Sequence, residues 1–182
     1  MFSFKVDENL ALALPQHHMA EELTVVVREN LERLKPWMPW AVDDYSTEMA
    51  NEFIARSLKA FADEGRFEAL MLLDDKIVGC IGFHNLDKVN RSAHIGYWIT
   101  GVHEGKGIVT RCCEALIAYL FETLELNRVQ INCNVENHRS RDIPERAGFK
   151  LEGIQRQIEF LHDRFGDWAI YAMLREEWNS KD

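Results

Sequence analysis

The hydrophobic pattern of this chain changes along its length, and that change constrains the fold more than any other feature. Over residues 19–34 and 47–61, apolar residues recur at helical spacing. From residue 67 onward, short apolar runs between turn residues predict strands, with one strong helix over 108–124. The predicted order is β, α, α, β, β, β, α, β, α, β, β. This order favours a mixed α/β (α+β) sheet with helices packed on it, and excludes a regularly alternating doubly wound fold.

Local signals set the boundaries of these elements. Two prolines make 35–40 a loop, and Ser46 or Thr47 is expected to cap the second helix, which ends near Gly65. A short helix is expected between Asn137 and Ala147. The predicted strands are 10–14, 67–73, 77–83, 92–100, 128–134, 150–161 and 167–174, of which 67–73 with 77–83 and 150–161 with 167–174 form hairpins.

Length and charge narrow the class of protein. A chain of 182 residues is expected to form one domain over 1–182. It carries 21 basic and 30 acidic residues, a net charge of −9, which argues against nucleic-acid binding. The same charge suits either a cationic substrate or solubility alone. No apolar run approaches the ~18–20 residues of a membrane span, and no secretion signal is apparent, so a cytoplasmic protein is expected.

The four cysteines do not indicate a metal site or a disulfide framework. None of them is spaced as Cys-x-x-Cys, and Cys112 and Cys113 are adjacent in a predicted helix. We therefore expect reduced, mostly buried thiols and no metal. The seven histidines contain no His-Glu-x-x-His pattern, which agrees with that expectation.

A glycine-containing loop over 101–110 is the clearest candidate site. It leads from a strand into a helix, so its backbone N–H groups and the helix dipole suit a phosphate or pyrophosphate. A P-loop is excluded, because three residues rather than four separate Gly101 from Gly105-Lys106, and Gly107 follows. The dinucleotide pattern also fails, because Thr110 stands where its third glycine belongs. Taken alone, the loop is equally compatible with a turn that only starts a helix.

A second motif follows a later strand. Asn137 and Ser140 form an Asn-x-x-Ser element, and Gly148-Phe149 comes after the predicted short helix. Together with the glycine loop, this element resembles the GNAT N-acetyltransferase superfamily over nearly the whole chain. The resemblance is strongest to the RimL/RimJ branch, which acetylates N-termini of ribosomal proteins. It implies a largely antiparallel mixed sheet flanked by helices, acetyl-CoA as the acetyl donor, and a homodimer.

The resemblance also implies roles for individual residues. Glu159 is the candidate base for the substrate amine, and Ser140 the candidate proton donor to the CoA sulfur. Their alternatives are a solvated hairpin glutamate and a serine that bonds a backbone group in the first helical turn. The candidate cofactor residues are Trp98, Ile99, Gly105, Lys106, Gly107, Ile108, Val109, Thr110 and Asn137. In that set the amides around Trp98 and Ile99 form the oxyanion hole, and Asn137 orients the cofactor or caps the helix.

Two residues depart from the family's cofactor loop. Glu104 replaces a Gln or Arg, and a carboxylate near a pyrophosphate would repel it, so Glu104 is expected to point away. Val109 replaces a Gly or Ala and leaves less room for the backbone to approach a ligand. The proline at 144, inside the short helix, predicts a kink or an irregular turn.

The acceptor is expected to meet aromatic residues. Trp37 and Trp40, in the Pro-rich loop, and Tyr97 are the candidate substrate-binding residues, with core or sheet packing as the alternative role. Three functions remain open at this point. They are acetylation of a ribosomal protein N-terminus, acetylation of a small amine such as a polyamine, amino sugar or antibiotic, and non-catalytic binding of acetyl-CoA.

Overall fold

The computed structural model describes residues 3–63 and 65–179. The strands there are β1 (Ser3–Lys5), β2 (Leu10–Ala13), β3 (Phe67–Leu73), β4 (Lys76–Asp87), β5 (Ser92–Ile99), β6 (Arg128–Asn134), β7 (Lys150–Leu161) and β8 (Arg164–Leu174). The α-helices are α1 (Ala20–Glu29), α2 (Leu31–Leu34), α3 (Thr47–Ala62), α4 (Ile108–Ala118), α5 (His138–Arg146) and α6 (Arg175–Asn179). One π-helical turn, Tyr119–Thr123, continues α4.

The strands hydrogen bond in the order β1-β2-β3-β4-β5-β6-β8-β7. The pairs β1–β2, β2–β3, β6–β8 and β7–β8 are antiparallel, whereas β5 and β6 are parallel. The parallel register joins Ser92–Ile95 of β5 to 128–131 of β6, so residues 96–99 of β5 lie beyond it. A mixed, largely antiparallel sheet confirms the predicted fold class and the exclusion of a doubly wound fold.

The chain forms two compact units, Met1–Gly82 with Tyr97–Cys112, and Phe83–Gly96 with Cys113–Asp182. In the first unit, Leu23 and Val27 of α1 and Ile54 of α3 are at most 2% exposed. Burial of each such side chain stabilises the fold by about 1.5–3 kcal/mol. The Ser46 hydroxyl accepts a hydrogen bond from the Met49 amide, which confirms the predicted cap of α3.

In the second unit, the alternation of β6 determines which side chains are buried. Val129, Ile131 and Cys133 are 0–4% exposed, and the residues between them are half-buried. Tyr171 of β8 pairs with Ile131 in the antiparallel register and is 1% exposed. The thiols of all four cysteines are buried, as predicted. That residues 1–182 act as one domain stays a prediction.

Several element boundaries differ from the prediction, including the end of β4, which lies at Asp87 and not at residue 83. The single helix expected over 19–34 is interrupted at Asn30, whose side-chain amide donates to the Val26 carbonyl at 2.8 Å. The helix expected to reach residue 124 gives way to the π turn after Ala118. Strand β8 begins at Arg164 instead of 167, because His162 and Asp163 both take left-handed conformations and form a two-residue turn. Strand β1 and helix α6 were not predicted, since each spans five residues or fewer.

Candidate active site

The glycine loop is positioned by β5 on one side and α4 on the other. Gly105 and Gly107 have φ values of +71° and +72°, which favour glycine, and an added Cβ at either residue would meet no atom within 4 Å. Backbone conformation, and not crowding, therefore requires these glycines. The Arg111 amide donates to the Gly107 carbonyl at 3.1 Å. Among the described residues, the amides of residues 108–110 have no hydrogen-bond partner, as expected for the first turn of α4.

The side chains of the loop divide into exposed and buried groups. Residues 105–107 are exposed, and Thr110 is half-buried. Ile108 and Val109 are 2% and 6% exposed, so these two residues can offer a ligand only their backbone. The valine that departs from the family pattern thus serves the core of its unit. Burial, together with the charge of Lys106, lowers the pKa of His103 below its ordinary value.

The Glu104 carboxylate forms an ion pair with Arg33 of α2. The Arg33 side chain lies against the bare Cα of Gly101, where an added Cβ would come within 2.6 Å of Arg33 Cδ. The Gly101 amide donates to Asn30 Oδ1 at 2.8 Å. The corner between α1 and α2 therefore holds the start of the loop by one hydrogen bond and one ion pair. The sequence analysis did not identify Asn30 or Arg33, because their partners lie 71 residues away.

The aromatic candidates occupy the same unit as the loop. The ring centroids of Trp40 and Trp98 are 5.9 Å apart, and those of Trp40 and Tyr45 are 6.0 Å apart. Trp98 packs against the hydrophobic core of this unit, while Trp40 is 37% exposed. Trp37, Tyr97 and Ile99 are half-buried. Of these residues, the structure brings Trp40 and Trp98 together.

Asn137 caps α5 in the second unit. Its side chain accepts a hydrogen bond from the Ser140 amide at 3.1 Å, which is the capping alternative considered for it. The Ser140 hydroxyl donates to the thiol sulfur of Cys133 at 3.2 Å. The hydroxyl therefore meets a sulfur atom and not only a backbone group. Rotation about one side-chain bond is enough to redirect it.

Glu159 lies on β7 and is hydrogen bonded to a side chain at the end of β6. The side-chain amide of Asn134 donates to Glu159 Oε2 at 3.0 Å, and Glu159 is half-buried. Gly166 lies opposite Glu159 in the β7–β8 register, and an added Cβ at Gly166 would come within 2.8 Å of Asn134 Nδ2. Asn134 is a functional candidate that the sequence analysis missed. The sequence could have indicated Asn134, because it is the last polar residue of a strand in which polar and buried residues alternate.

A partly buried hydrogen-bond network fixes α5, the helix that carries Ser140. The Tyr171 hydroxyl donates to Glu145 Oε1 at 2.6 Å and accepts from Arg141 Nε at 3.0 Å. Arg141 also donates to the Val135 carbonyl at 3.1 Å. Burial, with the Glu145 hydrogen bond, raises the pKa of Tyr171. The helix runs continuously through Pro144.

Two absences among the described residues bear on the class of site. Over 3–63 and 65–179, no group of three or more His, Cys, Asp or Glu side chains is arranged to hold a metal ion. In that same part of the chain, no helix is both long enough and apolar enough to cross a membrane.

Comparison with known proteins gives a consistent result. Residues 9–150 match the family described as "Acetyltransferase (GNAT) domain". The chain is 41% identical over 182 residues, the whole of both chains, to a protein of Bacillus subtilis (strain 168) named "Putative ribosomal N-acetyltransferase YdaF". It is 30% identical to the ribosomal-protein-serine acetyltransferase of Escherichia coli (strain K12), over 94% of this chain and 96% of that one.

A solved structure supports the same assignment. The crystal structure of the Microcin C7 self immunity acetyltransferase MccE, in complex with acetyl-CoA and AMP, matches the fold with a TM-score of 0.91. The two sequences are 30% identical, and the match covers 94% of this chain and 95% of that one.

Proposed function

This chain belongs to the GNAT acetyltransferase family, and we propose that it transfers the acetyl group of acetyl-CoA to the N-terminal α-amine of a protein. The observation that carries the donor assignment is the loop from β5 to α4. Its two left-handed glycines and the unpaired first-turn amides of α4 form a cradle for an anion. The pyrophosphate of acetyl-CoA is the group that we assign to this cradle.

The chemistry requires a neutral amine, a polarised carbonyl and a proton for the leaving thiolate. We assign removal of the amine proton to Glu159, directly or through water, and polarisation of the thioester carbonyl to the amides around Trp98 and Ile99. The amine nitrogen then forms the amide bond as the carbon–sulfur bond breaks. Ser140 gives its proton to the departing CoA sulfur and regains one through water from the proton that Glu159 removed, so both groups return to their starting states. In the free protein its hydroxyl already donates to a sulfur atom, that of Cys133.

The remaining candidates have supporting roles in this proposal. Asn137 caps α5 and so keeps the Ser140 amide and hydroxyl in place. Lys106, exposed between the two glycines, adds positive charge beside the phosphates. Trp37, Trp40 and Tyr97 bind the acceptor, and the partly exposed ring of Trp40 is the most accessible of the three to a substrate.

A ribosomal protein N-terminus is the acceptor that we propose. Two relatives with full or nearly full coverage carry ribosomal-protein acetyltransferase names. The net charge of −9 would attract an acceptor whose N-terminal segment is cationic. A free α-amine has a pKa of about 7.7–8.0, so a single carboxylate base is enough to deprotonate it near neutral pH. We also propose a homodimer, as the resemblance implied. From the net charge of −9 and the lack of a long apolar run we further propose a cytoplasmic protein without nucleic-acid or membrane partners.

A direct assay tests this function. The protein is incubated with labelled acetyl-CoA and, separately, with peptides carrying ribosomal N-terminal sequences, the same peptides with blocked N-termini, polyamines and amino sugars. We expect label on the free N-termini alone. Label on lysine side chains of the blocked peptides, or on the small amines in preference to every peptide, would contradict the proposed acceptor.

A second acceptor class has its own supporting observation. MccE, the Microcin C7 self immunity acetyltransferase, matches this chain as well in sequence as the ribosomal-protein-serine acetyltransferase does, at 30% identity. A small antibiotic-like amine is therefore the alternative acceptor, and the same assay distinguishes it.

A further inference from the structure

Four polar side chains alternate along one face of β6. They are Arg128, Gln130, Asn132 and Asn134, and all four are half-buried. The residues between them point to the opposite face and are buried, as the period of two requires. A polar row of this kind is not explained by core packing, which occupies the other face of the strand.

The first three members of the row form a chain of hydrogen bonds with a single direction. Arg128 donates to both carboxylate oxygens of Glu152, at 2.7 and 2.5 Å, and to Gln130 Oε1 at 3.0 Å. The Gln130 amide then donates to Asn132 Oδ1 at 2.8 Å. The side-chain oxygens of Gln130 and Asn132 are thereby both occupied. Among the described residues, the Asn132 amide nitrogen has no hydrogen-bond partner, so its donors are available.

The fourth member interrupts the chain and carries the proposed base. The Asn134 amide donates to Glu159 at 3.0 Å, and Asn134 Oδ1 accepts from the Glu136 backbone amide at 3.0 Å. The side-chain hydrogen bonds of Asn134 thus go to Glu159 and Glu136, and none found among the described residues joins Asn134 to Asn132. Residues i and i+2 are about 6.6 Å apart along a strand, so Asn132 places an available donor one step along β6 from the side chain that holds the Glu159 carboxylate.

We propose that Asn132 is a specificity-determining residue, which donates a hydrogen bond to the carbonyl oxygen of the acceptor's first residue while Glu159 engages its α-amine. The proposal rests on the function proposed above. A donor and a carboxylate at this spacing suit a group that presents an amine and a carbonyl on the same carbon. Every protein N-terminus presents that α-aminoacyl group. Polyamines and lysine side chains carry the amine without the neighbouring carbonyl.

The orientation of Asn132 follows from its neighbours. Its oxygen is committed to the Gln130 amide, so its nitrogen is the atom turned away from Gln130. The Glu152–Arg128 pair fixes Gln130 in the same way. Asn132 is therefore held as a donor before the substrate arrives, which lowers the entropy lost on binding.

The test compares two small acceptors that differ in the carbonyl. Glycinamide has an amine with a neighbouring carbonyl, and isobutylamine has the same branched shape with no hydrogen-bond acceptor. Each variant's kcat/KM is divided by the wild-type value for the same acceptor, so the different amine pKa values cancel. For Asn132→Leu we expect a loss of about 5- to 30-fold with glycinamide and less than twofold with isobutylamine, in line with one lost hydrogen bond. Asn132→Ser, which keeps a donor, should recover part of the activity.

Two controls guard against a structural artefact. Gln155→Leu removes an exposed amide from the neighbouring hairpin and should change neither ratio. Acetyl-CoA affinity, measured by calorimetry, should be the same in wild type and Asn132→Leu. Equal losses with both acceptors, or no loss, would overturn the role of Asn132 and leave the proposed function standing. A wild-type enzyme that acetylates isobutylamine but neither glycinamide nor any peptide would overturn both.

Discussion

Arg33 of α2 forms an ion pair with Glu104, which lies in the glycine loop 71 positions later. The pair explains how a carboxylate is tolerated where the family pattern has Gln or Arg. The negative charge of Glu104 is neutralised by a guanidinium that lies close to Gly101. Positive charge thus reaches the loop from another helix.

The first prediction concerns this pair and CoA affinity. Arg33→Ala leaves Glu104 uncompensated beside the proposed phosphate site and should weaken CoA binding about 5- to 10-fold at low salt, an effect near 1 kcal/mol. Glu104→Gln in the Arg33→Ala background should restore most of the loss. Isothermal calorimetry at 0.05 and 0.5 M salt measures both effects, which should shrink at the higher salt. Equal affinity in all variants would remove the pair from the site.

The second prediction concerns Gly107. Gly107→Val places a β-branched residue at a φ of +72° and puts bulk beside the first-turn amides, so CoA affinity should fall by more than tenfold. Gly107→Asn tolerates the left-handed conformation and should lose less. Backbone strain should also lower the free energy of unfolding by about 1–3 kcal/mol in the valine variant. Unchanged calorimetric affinity in Gly107→Val would show that the phosphates bind elsewhere.

The third prediction concerns Glu159. Glu159→Gln should lower kcat by about 10²- to 10⁴-fold with little change in CoA affinity, because a base acts on the amine and not on the cofactor. The deficit should shrink as the pH rises past about 8, where the α-amine becomes neutral without help. Rates from pH 6.5 to 9.5 provide the measurement, with Glu114→Gln on the exposed face of α4 as the control. A full rate at pH 7 would assign the proton to another group.

The fourth prediction concerns stability at high pH. Burial, with the nearby thiol of Cys80, raises the pKa of Tyr45 to about 12 from an ordinary value near 10. As the pH rises, the Tyr45 hydroxyl loses its proton in the unfolded chain before it does so in the folded one. The stabilisation of the folded state by the neutral hydroxyl is therefore complete below pH 10 and is lost between pH 10 and 12. It amounts to about 2–3 kcal/mol by pH 12. Urea unfolding at pH 8 and 11 should show a smaller decrease in stability for Tyr45→Phe than for wild type.

The fifth prediction concerns long-range attraction of the acceptor. Peptides with basic residues after the first position should have a higher kcat/KM than neutral peptides at low salt, because the protein carries a net charge of −9. The advantage should fade at 0.5 M salt, since the Debye length is already only ~8–10 Å at 0.10–0.15 M. An advantage that persists at high salt would indicate a specific contact instead of steering.

Local patterns in the sequence were sufficient for most of the secondary structure. Strand β6 was predicted at its observed bounds, because its buried residues alternate and turn residues flank it. The predicted fold class and the family are confirmed. Asn30 was missed as a helix break, since the apolar spacing continues through it and its side-chain contact with Gly101 is not a local signal.

The site was less accessible to sequence reasoning than the fold. Motif spacing located the loop and the Asn137–Ser140 element, since both are contiguous in the chain. The pairings Arg33–Glu104 and Asn134–Glu159 join residues 71 and 25 positions apart, and no periodicity predicts them. The catalytic roles of Ser140 and Glu159 stay predictions until the variants are measured.

The contacts of Gly101 limit how this chain can evolve. Its amide depends on the Asn30 side chain, and its missing side chain makes room for Arg33, the partner of Glu104. A mutation at any one of these four positions removes a contact on which at least one of the other three residues depends. Lineages that abandon the acidic loop residue should therefore exchange the whole set, and single exchanges should be rare among descendants that keep the activity.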